Sequence, residues 1–200
     1  MIADIEAAGD RDLLSLIDAA VSGGVTIVQL RSKQQSTRAF CDLAQDITGH
    51  LKLREIPLII NDRIDVALAC GADGIHLGQE DLRLADARRI CGSARIIGIS
   101  VNTVKEARDA ENGGADYLGV GPLFPTSSKS QLRTILGLEG LREIRKQVHL
   151  PLLAIGGITT ENVAPVRREG AEGVAVISAL MSAPDITCAA TNLAVRMEEL

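Results

Sequence analysis

A short phrase that runs from a helix end through glycine into an apolar strand occurs four times in this chain. The four copies are GGVTIVQL (23–30), CGADGIHL (70–77), GGADYLGV (113–120) and EGAEGVAV (169–176). Glycine suits the junction because it adopts the left-handed conformation of a helix cap without steric cost. Recurrence of one supersecondary unit is typical of a repeated architecture. The phrase therefore predicts a series of quasi-equivalent helix-to-strand units.

Hydrophobic periodicity extends this pattern along the whole chain. Apolar runs predict strands at 25–30, 56–60, 73–77, 95–99, 116–121, 151–156 and 173–177. Amphipathic stretches predict helices at 11–22, 36–53, 63–69, 82–91, 103–112, 138–147, 160–169 and 185–199. Several of the strands are apolar throughout, which is typical of parallel strands covered on both faces. The class is therefore α/β, with either a doubly wound sheet or a barrel as its architecture.

The count of elements favours the barrel. No GxGxxG opens a helix after a strand, which disfavours a dinucleotide-binding sheet. Eight helices with seven clear strands fit a (β/α)8 TIM barrel whose first strand is truncated to residues 1–4. A missing first strand would leave barrel edges unpaired. Because no Pro- or Ser-rich linker interrupts the pattern, residues 1–200 are predicted to form a single catalytic domain.

Charge and composition narrow the classes of partner. The net charge of −5 and the absence of a Lys/Arg run argue against nucleic acid or an anionic membrane surface. No apolar stretch reaches the roughly 18 residues of a membrane span. The start lacks the basic and hydrophobic regions of a signal peptide. We therefore expect a cytoplasmic protein with small-molecule substrates. Whether it forms homo-oligomers is left open by the sequence.

Polar, chemically capable residues follow the carboxyl ends of the predicted strands. They lie in QLRSK (29–33), IIND (59–62), HLGQED (76–81), IGIS (97–100), GPLFPTSSK (121–129), AIGGI (154–158) and VIS (176–178). In TIM barrels the active site sits at the rim where the strands end. The distribution therefore predicts an enzyme site at that rim.

The segments after the earlier strands are rich in charge. Arg31 and Lys33 alternate past a strand end, so both can point into the barrel mouth and bind pyrophosphate. The alternative is that they are solvated loop cations. Asp62 and Asp81 follow neighbouring strands and suit Mg²⁺, which takes one or two carboxylates together with substrate phosphates. Asn61 is placed to donate to a phosphate oxygen. For Asp81, the competing interpretation is a helix N-cap.

The segments after the later strands offer mainly backbone and hydroxyl groups. Thr126, Ser128 and Lys129 belong to a long loop that we interpret as a lid over phosphate, with a plain linker as the alternative. The loops at 154–158 and 176–178 match the positions that form a phosphate site in many barrels. Two phosphate sites of different character predict transfer of a group from a pyrophosphate-bearing molecule to a monophosphorylated acceptor.

These segments, together with NDR, GLEGL and AVIS, resemble in their order the signature segments of the thiamine phosphate synthase family, over about residues 11–180. The resemblance implies that hydroxymethylpyrimidine pyrophosphate is joined to thiazole phosphate with release of pyrophosphate, assisted by Mg²⁺. It implies that pyrophosphate is bound by Arg31, Lys33, Asn61, Ser100 and Lys129. It implies that the thiazole phosphate is bound by Thr126, Ser128, Gly157, Ile177 and Ser178. Gln29 would lie beside the pyrimidine, and Asp62 and Asp81 would bind the metal.

The mechanism implied by the resemblance is dissociative. Pyrophosphate leaves first, and the thiazole nitrogen captures the pyrimidine methylene cation, so catalysis consists of positioning and of stabilising the departing charge by Arg31, Lys33, Ser100 and Lys129. One alternative is a thiazole tautomerase of the same superfamily, which carries a histidine where this chain has Pro122. A non-catalytic phosphate-binding barrel is the other, and it would need no carboxylate pair for a metal.

Overall fold

A computed structural model describes residues 1–126 and 134–199 of the chain. Its eight parallel strands form one sheet in chain order. They are β1 (Ile2–Asp4), β2 (Val28–Arg31), β3 (Leu58–Asn61), β4 (Gly74–Leu77), β5 (Ile96–Val101), β6 (Tyr117–Val120), β7 (Leu152–Ile155) and β8 (Gly173–Ala175). The sheet curls into a nearly closed barrel, in which the Ile2 N–H donates to the Val176 carbonyl oxygen at 2.9 Å. The predicted (β/α)8 TIM barrel is confirmed.

Helices alternate with the strands. They are α1 (Ile5–Ala8), α2 (Leu13–Ser22), α3 (Thr37–Lys52), α4 (Ile64–Cys70), α5 (Leu84–Cys91), α6 (Val104–Asn112), α7 (Gly137–Arg145), α8 (Val163–Arg168), α9 (Ser178–Met181) and α10 (Ile186–Glu198). Every predicted helical segment overlaps one of them. The two helices that the sequence did not predict, α1 and α9, have four residues each, which is too short for a periodic pattern. No helix in the described ranges is long and apolar enough to cross a membrane.

The first strand is short but fully integrated. Ile2, Ala3 and Asp4 of β1 are in register with Gln29, Leu30 and Arg31 of β2. The truncated first strand expected at residues 1–4 is therefore present, and the unpaired edges that a missing strand would leave do not arise. On its other side, the Ile2 N–H donates to the carbonyl oxygen of Val176, the residue that follows the equally short β8.

Alternation along β2 shows how the barrel separates its core from its site. Val28 and Leu30 are fully buried within the apolar cluster that joins the strands to the helices. The intervening Gln29 and Arg31 must face the opposite side, the barrel interior, because successive strand residues point to opposite faces. The apolar layer thus fixes the direction in which the polar side chains of the same strand project.

Candidate active site

The Arg31 side chain is held by a carboxylate from the first strand. Its guanidinium forms an ion pair with Asp4, and only 16% of the Arg31 side chain is exposed. The other Asp4 oxygen accepts from the Ala7 N–H at 2.9 Å and so caps α1. Arg31 is therefore not a solvated loop cation. The sequence did not single out Asp4, because the strand that it ends is too short to be recognised by periodicity.

A second acidic residue near β1 anchors the loop that carries the cations. Glu6 Oε1 accepts from the Ser32 hydroxyl at 2.7 Å, from the Lys33 N–H at 3.0 Å and from the Gln34 N–H at 3.1 Å. Burial acts to raise the pKa of Glu6, but these bonds outweigh it and hold the pKa below its ordinary value. Glu6, which the sequence also did not single out, thus fixes the backbone on which Lys33 stands.

Lys33, Asp62 and Asp81 converge after the ends of β2, β3 and β4. The Lys33 ammonium forms an ion pair with the Asp62 carboxylate, and the Asp62 and Asp81 carboxyl groups are close enough to hydrogen-bond. Burial raises the pKa of Asp62, and Asp81 raises it further, against the opposing effect of Lys33. Asp62 also has φ 63°, a left-handed conformation that is uncommon for a residue other than glycine. Such strain is typical of functional sites.

The N-cap interpretation of Asp81 is wrong. The residue before the first residue of α5 is Arg83, and no side chain caps that helix end. Asp81 instead accepts from the Gly78 N–H at 2.7 Å, within the loop that follows β4. This bond turns the Asp81 carboxylate toward Asp62 rather than toward the helix.

The donor set of the two aspartates fits a hard divalent cation. Within residues 1–126 and 134–199, no group of three or more His, Cys, Asp or Glu side chains is arranged to hold a metal. Two adjacent carboxylates that repel each other are what Mg²⁺ uses, since it keeps several waters or substrate oxygens as its remaining ligands. Asp62 and Asp81 could therefore provide a partial coordination shell that phosphate oxygens complete.

This repulsion predicts a pH-dependent effect on stability. Folding raises the pKa of Asp62 above its ordinary value of 3.8. Protonated Asp62 therefore contributes to the stability of the folded state in full below pH 3.8, and this contribution to stability is lost as the pH rises through the raised pKa. We expect Asp81→Asn to raise the melting temperature in chelator at pH 7, with a gain that shrinks toward pH 4. Mg²⁺ should stabilise the parent protein but not the variant. A variant that is less stable than the parent at every pH would contradict the repulsion.

Inside the barrel, a buried histidine joins two hydroxyl groups. His76 Nδ1 lies 2.9 Å from the Tyr117 hydroxyl, and His76 Nε2 lies 2.8 Å from the Ser100 hydroxyl. Tyr117 also bonds to the Gln29 side chain, and burial raises the pKa of the Tyr117 hydroxyl, so that it stays protonated at neutral pH. Gln79 donates to the Ser100 carbonyl oxygen at 2.7 Å. These contacts connect Gln29 and Ser100, the residues predicted to lie at the pyrimidine and the pyrophosphate.

On the opposite side of the rim, Gly157 allows two loops to touch. Its φ is +64°, and a Cβ at this position would overlap the Pro125 carbonyl oxygen and lie 2.8 Å from Phe124 Cβ. The Phe124 N–H donates to the Gly156 carbonyl oxygen at 3.0 Å, and Asn162 Nδ2 donates to the Gly157 oxygen at 2.9 Å. The loop after β7 is therefore pinned against the loop after β6, as close backbone approach through glycine predicts.

The remaining predicted residues lie at or after the ends of β3, β6 and β8. Asn61, the last residue of β3, is buried next to Asp62. Thr126 is half-buried in the loop after β6. Ile177 and Ser178 stand at the start of α9. Ser128 and Lys129, with the predicted lid, lie outside the described residues. Among residues 1–126 and 134–199, the predicted site residues thus form a charged half of the rim over the early strands and a half without charge over the late ones.

Three comparisons with known proteins agree on one family. Residues 1–180 match the family model described as thiamine monophosphate synthase. The chain is 48% identical to the thiamine-phosphate synthase of Clostridium botulinum (strain Loch Maree / Type A3) over 183 residues, which cover 92% of this chain and 89% of the relative. It is 50% identical to the thiamine-phosphate synthase of Syntrophomonas wolfei, covering 92% and 88%. The solved thiamine phosphate pyrophosphorylase of Pyrococcus furiosus superposes with a TM-score of 0.90 at 37% identity, covering 99% and 94%.

Proposed function

The chain belongs to the thiamine monophosphate synthase family, and on this premise we propose how its residues divide the work of the reaction. Its activity is that of a thiamine phosphate synthase, a transferase of thiamine biosynthesis. The tautomerase and the non-catalytic barrel are not favoured, since the relatives carry the synthase name. We infer that the substrates are hydroxymethylpyrimidine pyrophosphate and thiazole phosphate, as the resemblance of the rim segments implies.

The observation that carries the proposal is the convergence of Lys33, Asp62 and Asp81 on the charged half of the rim, with Arg31 held by Asp4 at the end of β2. Two cations and a pair of carboxylates suit a metal-complexed pyrophosphate better than a single phosphate, because Arg binds two oxygens at once and Lys adds a point charge. Asp62 and Asp81 would hold Mg²⁺. When bound, the ion supplies Lewis-acid stabilisation to the pyrophosphate oxygens.

The chain's own residues act on the bond that breaks. The carbon–oxygen bond between the pyrimidine methylene and pyrophosphate opens, and its electron pair leaves with the pyrophosphate. Arg31, Lys33, Lys129 and the Ser100 hydroxyl would stabilise that growing charge, while Asn61 would fix one of its oxygens. The thiazole nitrogen then donates its lone pair to the methylene cation. No dedicated base is needed, because this nitrogen carries no proton to remove.

The other half of the rim would orient the acceptor. Thr126, Ser128, Gly157, Ile177 and Ser178 offer hydroxyl and backbone N–H groups to the phosphate of the thiazole. Supporting this assignment, Gly157 carries no side chain of its own to obstruct its backbone, and its carbonyl oxygen accepts a hydrogen bond from Asn162 that fixes the loop. A phosphate that does not react needs only uniform binding, so these residues would position the nitrogen rather than lower the barrier.

We also propose that the enzyme works in the cytoplasm as one catalytic domain over residues 1–200. The four cysteines are free thiols, which suits a reducing compartment. The net charge of −5 offers no basic face to nucleic acid or anionic lipid, so its partners would be small-molecule substrates.

Turnover of the two substrates with Mg²⁺, followed by the appearance of thiamine phosphate, tests the proposal directly. A matched pair of variants tests the division of labour. Lys129→Ala should lower kcat by about 30- to 160-fold, because a lost charge-assisted hydrogen bond costs about 2–3 kcal/mol in the transition state. Ser178→Ala should mainly raise the KM for thiazole phosphate. If Lys129→Ala altered only KM, Lys129 would not be acting on the departing group.

A further inference from the structure

Four polar side chains from four strands form a continuous chain inside the barrel. Gln29 of β2 contacts the Tyr117 hydroxyl of β6, which lies 2.9 Å from His76 Nδ1 of β4. His76 Nε2 lies 2.8 Å from the Ser100 hydroxyl of β5. His76 and Ser100 are buried to 8% and 9% exposure, and Tyr117 to 8%. The chain therefore runs through the protein interior from one proposed subsite to another.

The barrel makes room for the two middle members with glycines. A Cβ at Gly98 would overlap the Tyr117 ring, and a Cβ at Gly119 would lie 2.9 Å from His76 Cε1. Both glycines therefore leave space that these two rings fill. The rings themselves sit 5.5 Å apart at 32°. Their mutual placement is thus fixed by packing and not only by the hydrogen bond.

The hydrogen bonds that link Gln29, Tyr117, His76 and Ser100 can all run in either of two directions. A neutral histidine has one nitrogen that donates and one that accepts. If His76 Nε2–H donates to Ser100, then Nδ1 accepts from Tyr117, and the Tyr117 oxygen accepts from the Gln29 amide N–H. If the His76 proton is on Nδ1 instead, every bond reverses. The amide of Gln29 then points its N–H, rather than its carbonyl oxygen, toward the barrel mouth.

We propose that His76 and Tyr117 are positioning residues that couple the pyrophosphate subsite to the pyrimidine subsite by fixing this direction. The inference rests on the proposed function and deepens it. A Ser100 hydroxyl that donates to an anionic oxygen must accept its own bond from His76 Nε2–H. The remaining bonds follow, and the Gln29 carbonyl oxygen is presented to the ring. Bound pyrophosphate would therefore favour a pyrimidine that offers an N–H donor at that edge.

The test measures the binding of the pyrimidine and of pyrophosphate as two separate ligands. Calorimetry measures the affinity for an aminopyrimidine that carries methyl in place of hydroxymethyl, with and without Mg²⁺-pyrophosphate. In the parent protein we expect pyrophosphate to strengthen pyrimidine binding by about fivefold, the lower end of ordinary coupling between sites. Tyr117→Phe keeps the ring packing but removes the link. It should reduce this factor to about one while changing the affinity for pyrophosphate alone by less than about twofold.

Three results would overturn the coupling. One is an unchanged coupling factor in Tyr117→Phe, and another is an equal loss of both affinities, which would indicate a merely structural role. The third comes from nitrogen-15 spectra of histidine-labelled protein, in which pyrophosphate should increase the Nε2–H tautomer of His76; no change would count against the proposal even if the variant misfolds. If the parent protein bound neither pyrophosphate nor the pyrimidine, the proposed function itself would fail.

Discussion

Replacing Asp81 with alanine is expected to lower the turnover number by about two to three orders of magnitude, because a bound metal supplies several kcal/mol of transition-state stabilisation. Asp81 is one of two adjacent carboxylates, and its removal leaves Asp62 paired with Lys33 alone. The far-ultraviolet dichroism should stay unchanged, since Asp81 caps no helix and its described contacts are the bond from Gly78 in its own loop and the neighbouring Asp62 carboxyl group. Rates at a series of Mg²⁺ concentrations would give the measurement.

A matched control lies five residues further along. Asp86 pairs with Arg89 on the surface of α5, and such an exposed pair contributes little. Asp86→Asn should therefore retain both the turnover and its dependence on Mg²⁺. Full activity of the parent protein in excess chelator would contradict the requirement for a metal. Loss of activity in Asp86→Asn would show that the effect of Asp81→Ala is not specific to the carboxylate pair.

Gly157→Val is expected to reduce kcat/KM for thiazole phosphate by about 100-fold, chiefly through KM, because it removes uniform binding. The left-handed φ of +64° is strained for a β-branched residue. A Cβ would also overlap the Pro125 carbonyl oxygen, so the two loops that meet here must separate. Steady-state kinetics with each substrate varied in turn would show whether the KM for the pyrimidine substrate stays near its original value.

Alanine substitutions at Gly71 and Gly157 distinguish the effect of backbone strain from the effect of a steric overlap with the neighbouring loop. Gly71 has a φ of +69° at the end of α4, and a Cβ there would meet nothing within 4 Å. Gly71→Ala and Gly157→Ala therefore carry a similar backbone cost, but only the second forces the loops apart. Thermal unfolding should show a loss of stability in both variants that is larger in Gly157→Ala, whereas the KM for thiazole phosphate should rise only in Gly157→Ala. An equal rise in KM would assign the effect to general destabilisation.

Most of the fold follows from local sequence pattern, whereas strand limits do not. The strand predicted at 25–30 starts three residues before the observed one, because β2 spans Val28–Arg31. Residues 25–27 are apolar enough to resemble a strand, yet they precede the parallel pairing with β3, which begins at Val28 and Leu58. An apolar run indicates which residues are buried. The start of a strand, however, depends on where the neighbouring strand has backbone groups to hydrogen-bond.

Site residues could be predicted from the sequence where a charged side chain lies next to the carboxyl end of a recognisable strand. Arg31, Asp62 and Asp81 are charged residues next to strand ends, and the rule for barrel active sites was enough to group them. Asp4 and Tyr117 were missed for opposite reasons. Asp4 follows a strand too short to be recognised, and Tyr117 begins a strand in which an aromatic ring is expected to be ordinary core. Their roles depend on partners 27 and 41 residues away, which no local pattern encodes.

In the rim's ion pairs, the carboxylates of Asp4 and Asp62 occupy the cations that an anionic ligand would use. Arg31 faces Asp4, and Lys33 faces Asp62, so an anion that arrives alone must displace a carboxylate that is already in place. A divalent cation at Asp62 frees Lys33 and removes half of this competition. By linkage, the anion must then strengthen the binding of the cation by the same factor. Occupancy of the site would thus depend on the product of the anion and cation concentrations. Inorganic phosphate would bind only weakly whenever free magnesium is scarce.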